Sequence, residues 1–312
     1  MSCFRVMKYT EDNVKRFLFI VSLVLLIFLS IAHAYLPQTF NHEVVEASSN
    51  RNYKGVCFAD ADSAAAGSEA YIVYAAPGGV REGNLSQFIR QSNGTWTRAS
   101  LSSVMYSSCN SVAVGDVDPT KSGNEVYITR NLESGTTGKV MCFYKSGGTW
   151  SNTDIQSTGG LVFKRVTIGN ADSGAAGNEL YAAFSNGVNQ YTHNGSSWNS
   201  PVNLAGGLNC RDVAVGNIDN TLSGNEVLLS ALNYFSYCNK QASVWTRYDA
   251  EYITGRDYLS VAIGNIHPGY SGTESTYGAY KSSPLLSMFP WYHTYDGIAG
   301  KYGLPINEIS SD

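Results

Sequence analysis

Along most of the chain, apolar positions alternate with polar or small ones, the period of a strand with one buried face. "SVAVGDV" and "NEVYITR", within residues 111–130, show it clearly, and "KVMCFYK" follows as a third alternating run. "SGGTW" closes that run, and "SNGTW" from Ser92 and "HNGSSW" from His193 are its counterparts elsewhere. Asn-Gly and Gly-Gly pairs supply the positive φ that tight hairpins need. A short fourth strand is predicted after each, such as "TRASLSS" after Trp96 or "TDIQS" after Trp150. No amphipathic helix of useful length is predicted beyond the N-terminal apolar segment.

The pattern repeats. Five copies share alternating residues, then Asp/Asn-x-Asp, four residues, and Gly-x-Glu. The second acid is Asp62, Asp118, Asp172 and Asp219, with His267 in the fifth copy. Seven residues on stand Glu69, Glu125, Glu179, Glu226 and Glu274, separated by 56, 54, 47 and 48 residues. A period of this length means stacked supersecondary units. Four short antiparallel strands, five times over, predict an all-β fold, a five-bladed β-propeller. A sandwich would not give five equal repeats, and a β-helix would show shorter periods. The tryptophans of the outer hairpins, Trp96, Trp150 and Trp198, are expected to wedge between blades. In the fourth copy Trp245 comes early, so Tyr248 or Tyr252 is expected in that slot. "HEVVEASS" from His42 precedes the first copy where a fourth strand belongs, and is expected to complete the last blade. The predicted organisation is a signal peptide over 1–34, a closing segment over 35–53, the propeller over 54–300 and a tail over 301–312.

The Asp-x-Asp loop admits three uses. Asp and Asn lock turns through their own backbone bonds. Three carboxylates within a few Å of one another call for a hard cation. The first and second copies carry all three: Asp60, Asp62 and Glu69, then Asp116, Asp118 and Glu125. The third has Asn170, Asp172 and Glu179, and the fourth Asn217, Asp219 and Glu226. The fifth, with Asn265 and His267, is the poorest in oxygen. A carboxylate pair for polysaccharide cleavage is the third use. An active site needs one special place, however, and these acids recur in every repeat. His42, His193, His267 and His293 are scattered, with no unique cluster around them.

These repeats resemble the FG-GAP/VCBS class of propeller repeats, known from integrin α-chain heads and bacterial extracellular proteins. The resemblance covers about residues 54–300. It implies calcium as cofactor, held by oxygens at loop positions 1, 3, 5 and 9. Asp116 and Asp118 match the first and third positions. Thr120 stands at the fifth, Lys121 replaces the expected glycine at the sixth, and Glu125 comes one residue late. Turn lock and calcium loop stay open as readings.

Composition adds an address. Lys8, Lys15 and Arg16 precede the apolar run "FLFIVSLVLLIFLSIA", and Ala32-His33-Ala34 offers a cleavage pattern. A secreted chain starting near Tyr35 is expected, with no membrane span after cleavage. The formal net charge of −4 argues against a nucleic-acid partner. Sequons stand at Asn84, Asn93 and Asn194 as candidate glycosylation sites. Five cysteines follow Cys3, an odd number that leaves at least one thiol free, and one or two disulfides are expected. The expected function is non-catalytic extracellular recognition or adhesion, with glycans or matrix proteins as partners. Tyr106, Tyr234, Tyr237 and Tyr270 are candidate sugar-stacking rings. A self-associating structural subunit joined by strand donation, and a polysaccharide-active enzyme, are the alternatives.

Overall fold

The computed structural model of the chain describes residues 45, 51–63, 65, 68–75, 83–102, 107–132, 137–218, 224–264, 275–282, 285–293 and 299–300. The chain forms two units, Met1–Val45 and Glu46–Asp312. Of the first, only Val45 is described, so the expected signal peptide lies outside the described residues. So does the expected closing strand from His42, apart from Val45. No helix among the described residues is long and apolar enough to cross a membrane.

Each alternating run becomes a strand because its apolar face is buried against a neighbouring sheet. The first sheet is β1 (Asn52–Phe58), β2 (Glu69–Ala75), β3 (Gly83–Arg90) and β4 (Trp96–Ser100), antiparallel and in that order. The second is β5 (Ser107–Gly115), β6 (Glu125–Leu132), β7 (Thr137–Ser146) and β8 (Thr149–Gly159). The third is β9 (Phe163–Gly169), β10 (Glu179–Phe184), β11 (Gly187–Tyr191) and the two-residue β12 (Val202–Asn203). The fourth sheet has six strands: β13 (Cys210–Gly216), β14 (Glu226–Gln241), β15 (Val244–Gly264), β16 (Ser275–Ser282), β17 (Leu285–His293) and β18 (Ala299–Gly300).

Two turns inside long strands explain the six. Asn239 Nδ2 donates to Glu226 Oε1 at 2.9 Å. Both residues lie on β14, and a straight strand would hold them roughly 40 Å apart. So β14 doubles back, at Asn233 with φ 69°; Asn tolerates this left-handed region better than other residues with a Cβ. β15 bends at Gly255, φ 81°, whose N–H donates to Asn233 Oδ1 at 2.7 Å. The part of β15 before Gly255 is the outer strand of the fourth repeat. The part after it is the inner strand of the fifth. Gly160 and Gly207 occupy the same repeat position, with φ 82° and 87°.

Inner strands stack in series. β1 and β2 lie against β5, β5 and β6 against β9, β9 and β10 against β13, and β13 against β15. Each joint buries one valine of the incoming inner strand: Val112, Val166, Val213 and Val261. Val112 packs with Tyr71 and Val73 of the first sheet, and Val166 with Tyr127 of the second. Val213 joins Tyr181 of the third, and Val261 joins Leu228 of the fourth. Burying each such side chain stabilises by about 1.5–3 kcal/mol. The equivalent residues of the first sheet differ, with Val56 54% and Phe58 63% exposed.

Candidate functional site

The Asp-x-Asp loops follow the ends of the inner strands, and the glutamate opens the next strand. That places each Glu side chain under its own loop, where it is buried: Glu69, Glu125, Glu179 and Glu226. Glu69 Oε2 accepts from the N–H of Ala61 and Asp62 at 3.0 and 3.2 Å. Glu125 Oε2 accepts from Val117 and Asp118 at 3.1 and 3.2 Å, and Glu179 Oε2 from Ala171 and Asp172 at 2.9 and 3.1 Å. Glu226 Oε2 accepts from Ile218 N–H at 2.8 Å. In the first three repeats a tyrosine hydroxyl two residues on adds a third bond: Tyr71, Tyr127 and Tyr181, at 2.5, 2.8 and 2.8 Å. Burial pushes the Glu125 and Glu179 carboxyls up, and these donated bonds oppose it.

The second-position aspartates face the following repeat. Asp62 takes Lys145 Nζ on both oxygens at 2.5 Å. His193 Nε2 lies 3.5 Å from Asp118 Oδ1, both side chains buried. Lys240 Nζ meets Asp172 Oδ2 at 2.5 Å. Lys145 and Lys240 are cross-strand partners of Trp150 and Trp245, and His193 bridges Trp198. The other Asp oxygens turn the loop: Asp118 Oδ1 accepts from Thr120 N–H at 3.0 Å, and Asp172 Oδ1 from Gly174 N–H at 2.9 Å. Burial pushes the Asp172 carboxyl up, but bonds from Lys240, Gln190 and Gly174 outweigh it and hold it below its ordinary value.

The tryptophans complete each joint. Trp150, Trp198 and Trp245 stand edge-on to Tyr71, Tyr127 and Tyr181 of the preceding sheet, with centroids 6.2, 6.2 and 6.4 Å apart. Trp245 itself therefore fills the slot expected for Tyr248 or Tyr252. Trp198 and Trp245 each come nineteen residues after their glutamate, because the hairpins of these repeats are shorter than that of the second. A further stitch runs from Asn124, Asn178 and Asn225, whose Nδ2 atoms donate to the carbonyls of Asp60, Asp116 and Asn170.

The three carboxylates of a repeat therefore do different things. Asp60 and Asp116 are exposed, whereas the second aspartate and the glutamate are buried. The glutamate holds amides, and a Lys or His of the next repeat stands at the aspartate. Among the described residues no three His, Cys, Asp or Glu groups gather to hold a metal ion. Asp62, Asp118 and Asp172 spend oxygens on a Lys or His of the next repeat or on their own loops, while Glu69, Glu125 and Glu179 each keep Oε1 buried without a hydrogen-bond partner. Asn217 is half-buried, and Asp219 lies outside the described residues.

Gly123, Gly177 and Gly224 take φ of 88°, 90° and 98°. The motif glycine therefore serves the turn, as left-handed backbone requires. Asn93 and Asn194 are exposed at equivalent turns, and their Oδ1 atoms accept from the N–H of Thr95 and Ser196. Asn84 is half-buried on β3, accepting from Ser100 and Ser102. Cys57, Cys109, Cys142, Cys210 and Cys238 are all free thiols, contrary to the expected disulfides. Cys109 and Cys142 sit in the cores of different joints. Burial pushes the Cys109, Cys210 and Cys238 thiols up to about 12. Tyr234 lies against Tyr252 at 4.8 Å and Tyr237 stacks on Tyr248 at 5.1 Å. Tyr106 and Tyr270 lie outside the described residues.

This chain is similar to solved structures of the propeller type. A protein from Lactobacillus plantarum superposes with a TM-score of 0.52 at 15% identity, over 86% of this chain and 74% of that one. The WD40 domain of SCAP from fission yeast gives 0.43 at 11% identity, over 84% and 58%. The Aleuria aurantia lectin in complex with α-methyl-L-fucoside gives 0.44 at 13%, over 86% and 81%. At these identities the likeness concerns the fold alone: all-β, with four-stranded antiparallel sheets. No protein-family model matches the chain, and no curated protein matches it. The FG-GAP/VCBS resemblance accordingly rests on the loop motif.

One set of residues escaped the sequence reading. Every inner strand carries a register shift at the same position, eight residues before the second loop acid. The residues passed over are Lys54, Asn110, Lys164, Arg211 and Leu259. The constant spacing was readable, but the residue type varies, and nothing in a one-residue slip announces itself in an alternating pattern.

Proposed function

We propose that the chain is a secreted, non-catalytic, five-bladed β-propeller for extracellular recognition or adhesion, of glycans or matrix proteins. The observation that carries this reading is the use of the repeated acids. Among the described residues each buried motif glutamate holds loop amides, and Asp62, Asp118 and Asp172 are met by the next repeat, so this repeated chemistry serves as internal scaffolding. In this reading the loops are locks that need no calcium, and ligands are met on the outer surface. The exposed Asn93 and Asn194 turns are compatible with glycans attached during secretion. The bend at Gly255 supports a fifth blade in this reading, since the part of β15 beyond it pairs with β16, and β16 with β17. A glycan and matrix-protein array probed with the mature chain tests the function. Retention of a defined class supports it, and no retention on any feature, with or without calcium, overturns it.

The structural-subunit reading has its own support. Val56 and Phe58 are exposed on the inner strand of the first sheet, and Trp96 Nε1, beside Phe58, is buried without a hydrogen-bond partner. In the favoured reading the fifth repeat of the same chain covers this face; in the alternative a second copy does. Light scattering on the mature chain distinguishes them: a monomer at all concentrations supports closure, and concentration-dependent growth supports the polymer.

A further inference from the structure

Acids follow the first four inner strands, and cations stand near the start of three of them, at Lys54, Lys164 with Arg165, and Arg211. Their first halves carry the register shifts, and the residue passed over at each shift is Lys54, Asn110, Lys164, Arg211 or Leu259. A bulge leaves one residue out of the ladder, bends the strand and re-aims a side chain. Here it does so on strands that have a ladder partner on one side only, since β1, β5, β9 and β13 each stand at the edge of their sheet. The same stretch of chain is therefore opened at a sheet edge in four consecutive repeats, and the register shift recurs in the fifth.

These strand starts converge. Arg165 Nη1 donates to the carbonyl of Lys54 at 3.4 Å, joining the third repeat to the first. Arg165 Nε also lies 3.6 Å from Asp212 Oδ1 of the fourth repeat. Asp212 in turn accepts from Ser260 Oγ at 2.7 Å and Val261 N–H at 3.2 Å in the fifth. Asn110 and Asn131 of the second repeat both donate to the carbonyl of Phe163, and Asn131 accepts from its N–H at 2.9 Å. The backbone just before Lys164 and Arg165 is thus pinned by three side-chain bonds. All five repeats meet at this end.

The charges there do not balance. Lys54, Lys164, Arg165 and Arg211 are cationic, whereas Asp212 and Asp257 are the acids. Asp212 serves Arg165, and Asp257 holds Arg211 with two bonds at 3.0 and 3.2 Å. Neither Lys54 nor Lys164 has an acidic partner among the described residues. Lys54 is exposed and Lys164 half-buried, so both reach solvent from a preorganised surface. Burial first, and then the nearby Arg211 guanidinium, push the Lys164 ammonium below its ordinary value. Two like charges on neighbouring inner strands are thus held close in a protein whose net charge is −4. An anion placed between them would relieve the repulsion, and charge-assisted bonds to oxyanions are strong.

We propose that the bulge ends of the inner strands form a binding site for an acidic saccharide, with Lys54 and Lys164 contacting a sulfate or carboxylate group and Arg165 and Arg211 completing the positive surface. The proposal rests on the recognition reading above and names its ligand class. Arg165 and Arg211 are oriented by Asp212 and Asp257, whereas the two lysines have their donors available. Leu259 is 37% exposed and provides an apolar edge beside the charged group.

The test is direct binding of a heparin-derived hexasaccharide and of a neutral hexasaccharide to the mature chain, by calorimetry at near-physiological salt. Wild type is expected to bind the sulfated chain and not the neutral one, with affinity falling as salt rises. The double variant Lys54→Gln, Lys164→Gln should lose about tenfold or more, as expected for two charged hydrogen-bond donors. Lys139→Gln removes a charge that is paired with Asp154 on β7; it should change affinity by less than about twofold. Inorganic sulfate titrated alone separates the anion from its carrier: weak protection of the same lysines from acetylation supports the site. No binding of the sulfated chain, or equal losses in the double variant and Lys139→Gln, overturns the proposal. If the array shows neutral glycans retained while the sulfated chain is not, the recognition reading survives and this site falls. Circular dichroism of the double variant should match wild type, since neither lysine supports another group.

Discussion

The two ends of the inner strands use charge in opposite ways. At the loop end the residues are nearly the same from repeat to repeat, and among the described residues the second aspartate and the glutamate are buried inside the protein. At the bulge end the geometry is the same in every repeat, but the residues differ: Lys54, Asn110, Lys164, Arg211 and Leu259. Uniform residues at a uniform position mark a requirement every joint shares. Glu69, Glu125 and Glu179 each answer the same loop amides, so a long side chain with an acceptor is required there. Varied residues at a uniform backbone position mark freedom from that requirement, and freedom is what a binding surface needs. At the loop end the unpartnered atoms, the Oε1 of Glu69, Glu125 and Glu179, are sealed from solvent, whereas at the bulge end Lys54 and Lys164 reach it.

The comparison breaks most readily at the glutamate. Glu125→Ala would strand two loop N–H groups and the Tyr127 hydroxyl, lowering unfolding stability by about 3 kcal/mol or more. Glu125→Gln keeps an acceptor for the amides and should lose less than half as much. Urea denaturation of both variants checks this; equal losses would mean that the amide bonds do not hold the loop.

Lys240→Gln comes next. It leaves Asp172 buried beside Gln190 and should cost about 2 kcal/mol at pH 7. The folded-state value of Asp172 is depressed, so its contribution is complete above the unfolded value near about 4 and is lost as pH falls through the folded value. The deficit of Lys240→Gln should therefore stay constant from neutral pH to about pH 5 and shrink below about pH 4. Glu125 and Glu179 run the other way. Their folded-state values are raised, so their contribution is present at acid pH and lost as pH rises through those values. Melting temperatures of wild type and variant across this range provide the check. A deficit that grows on acidification would reverse the assigned sign.

Gly123→Ala should cost about 1 kcal/mol, through backbone strain alone. Its Cβ would meet nothing within 4 Å. Asp118→Asn should cost less, because Asn can still accept from Thr120 N–H. A larger loss for Asp118→Asn, by chemical denaturation, would move the weight of the loop from its turn to its charge. The smallest effect expected is that of calcium. Adding millimolar calcium or a chelator should leave the melting temperature unchanged. A stabilisation that follows calcium concentration would restore the metal reading, since a ligand of the native state alone stabilises by RT ln(1 + [L]/Kd).

The all-β class and the four-stranded repeat were legible because both depend on local pattern. "NEVYITR" alternates, and β6 occupies Glu125–Leu132. "KVMCFYK" alternates, and β7 occupies Thr137–Ser146. The tryptophan wedge was legible at Trp150 and Trp198; Trp96 meets Phe58 of its own sheet, and in the fourth repeat Trp245 took the slot expected for Tyr248 or Tyr252. The loop site was only half legible. Asp62, Asp118 and Asp172 could be found by spacing, but their partners lie 83, 75 and 68 residues further along, and no local signal links Lys145, His193 or Lys240 to them. Glycine corners at Gly160, Gly207 and Gly255 were passed over because φ is not written in residue type where glycine is common.

By itself the sequence determined the repeat, its strand period and the turn chemistry, since these follow from steric and hydrophobic rules acting over a few residues. Only the tertiary structure decided what the charged residues do. A carboxylate is a metal ligand, an acid catalyst or a lock according to which atoms stand within about 3 Å of it, and here those atoms come from loop amides and from the next repeat. For the same reason Lys145 and Lys164 look alike in the sequence, yet one closes on Asp62 and the other stands beside Arg211 with no acid to meet it among the described residues.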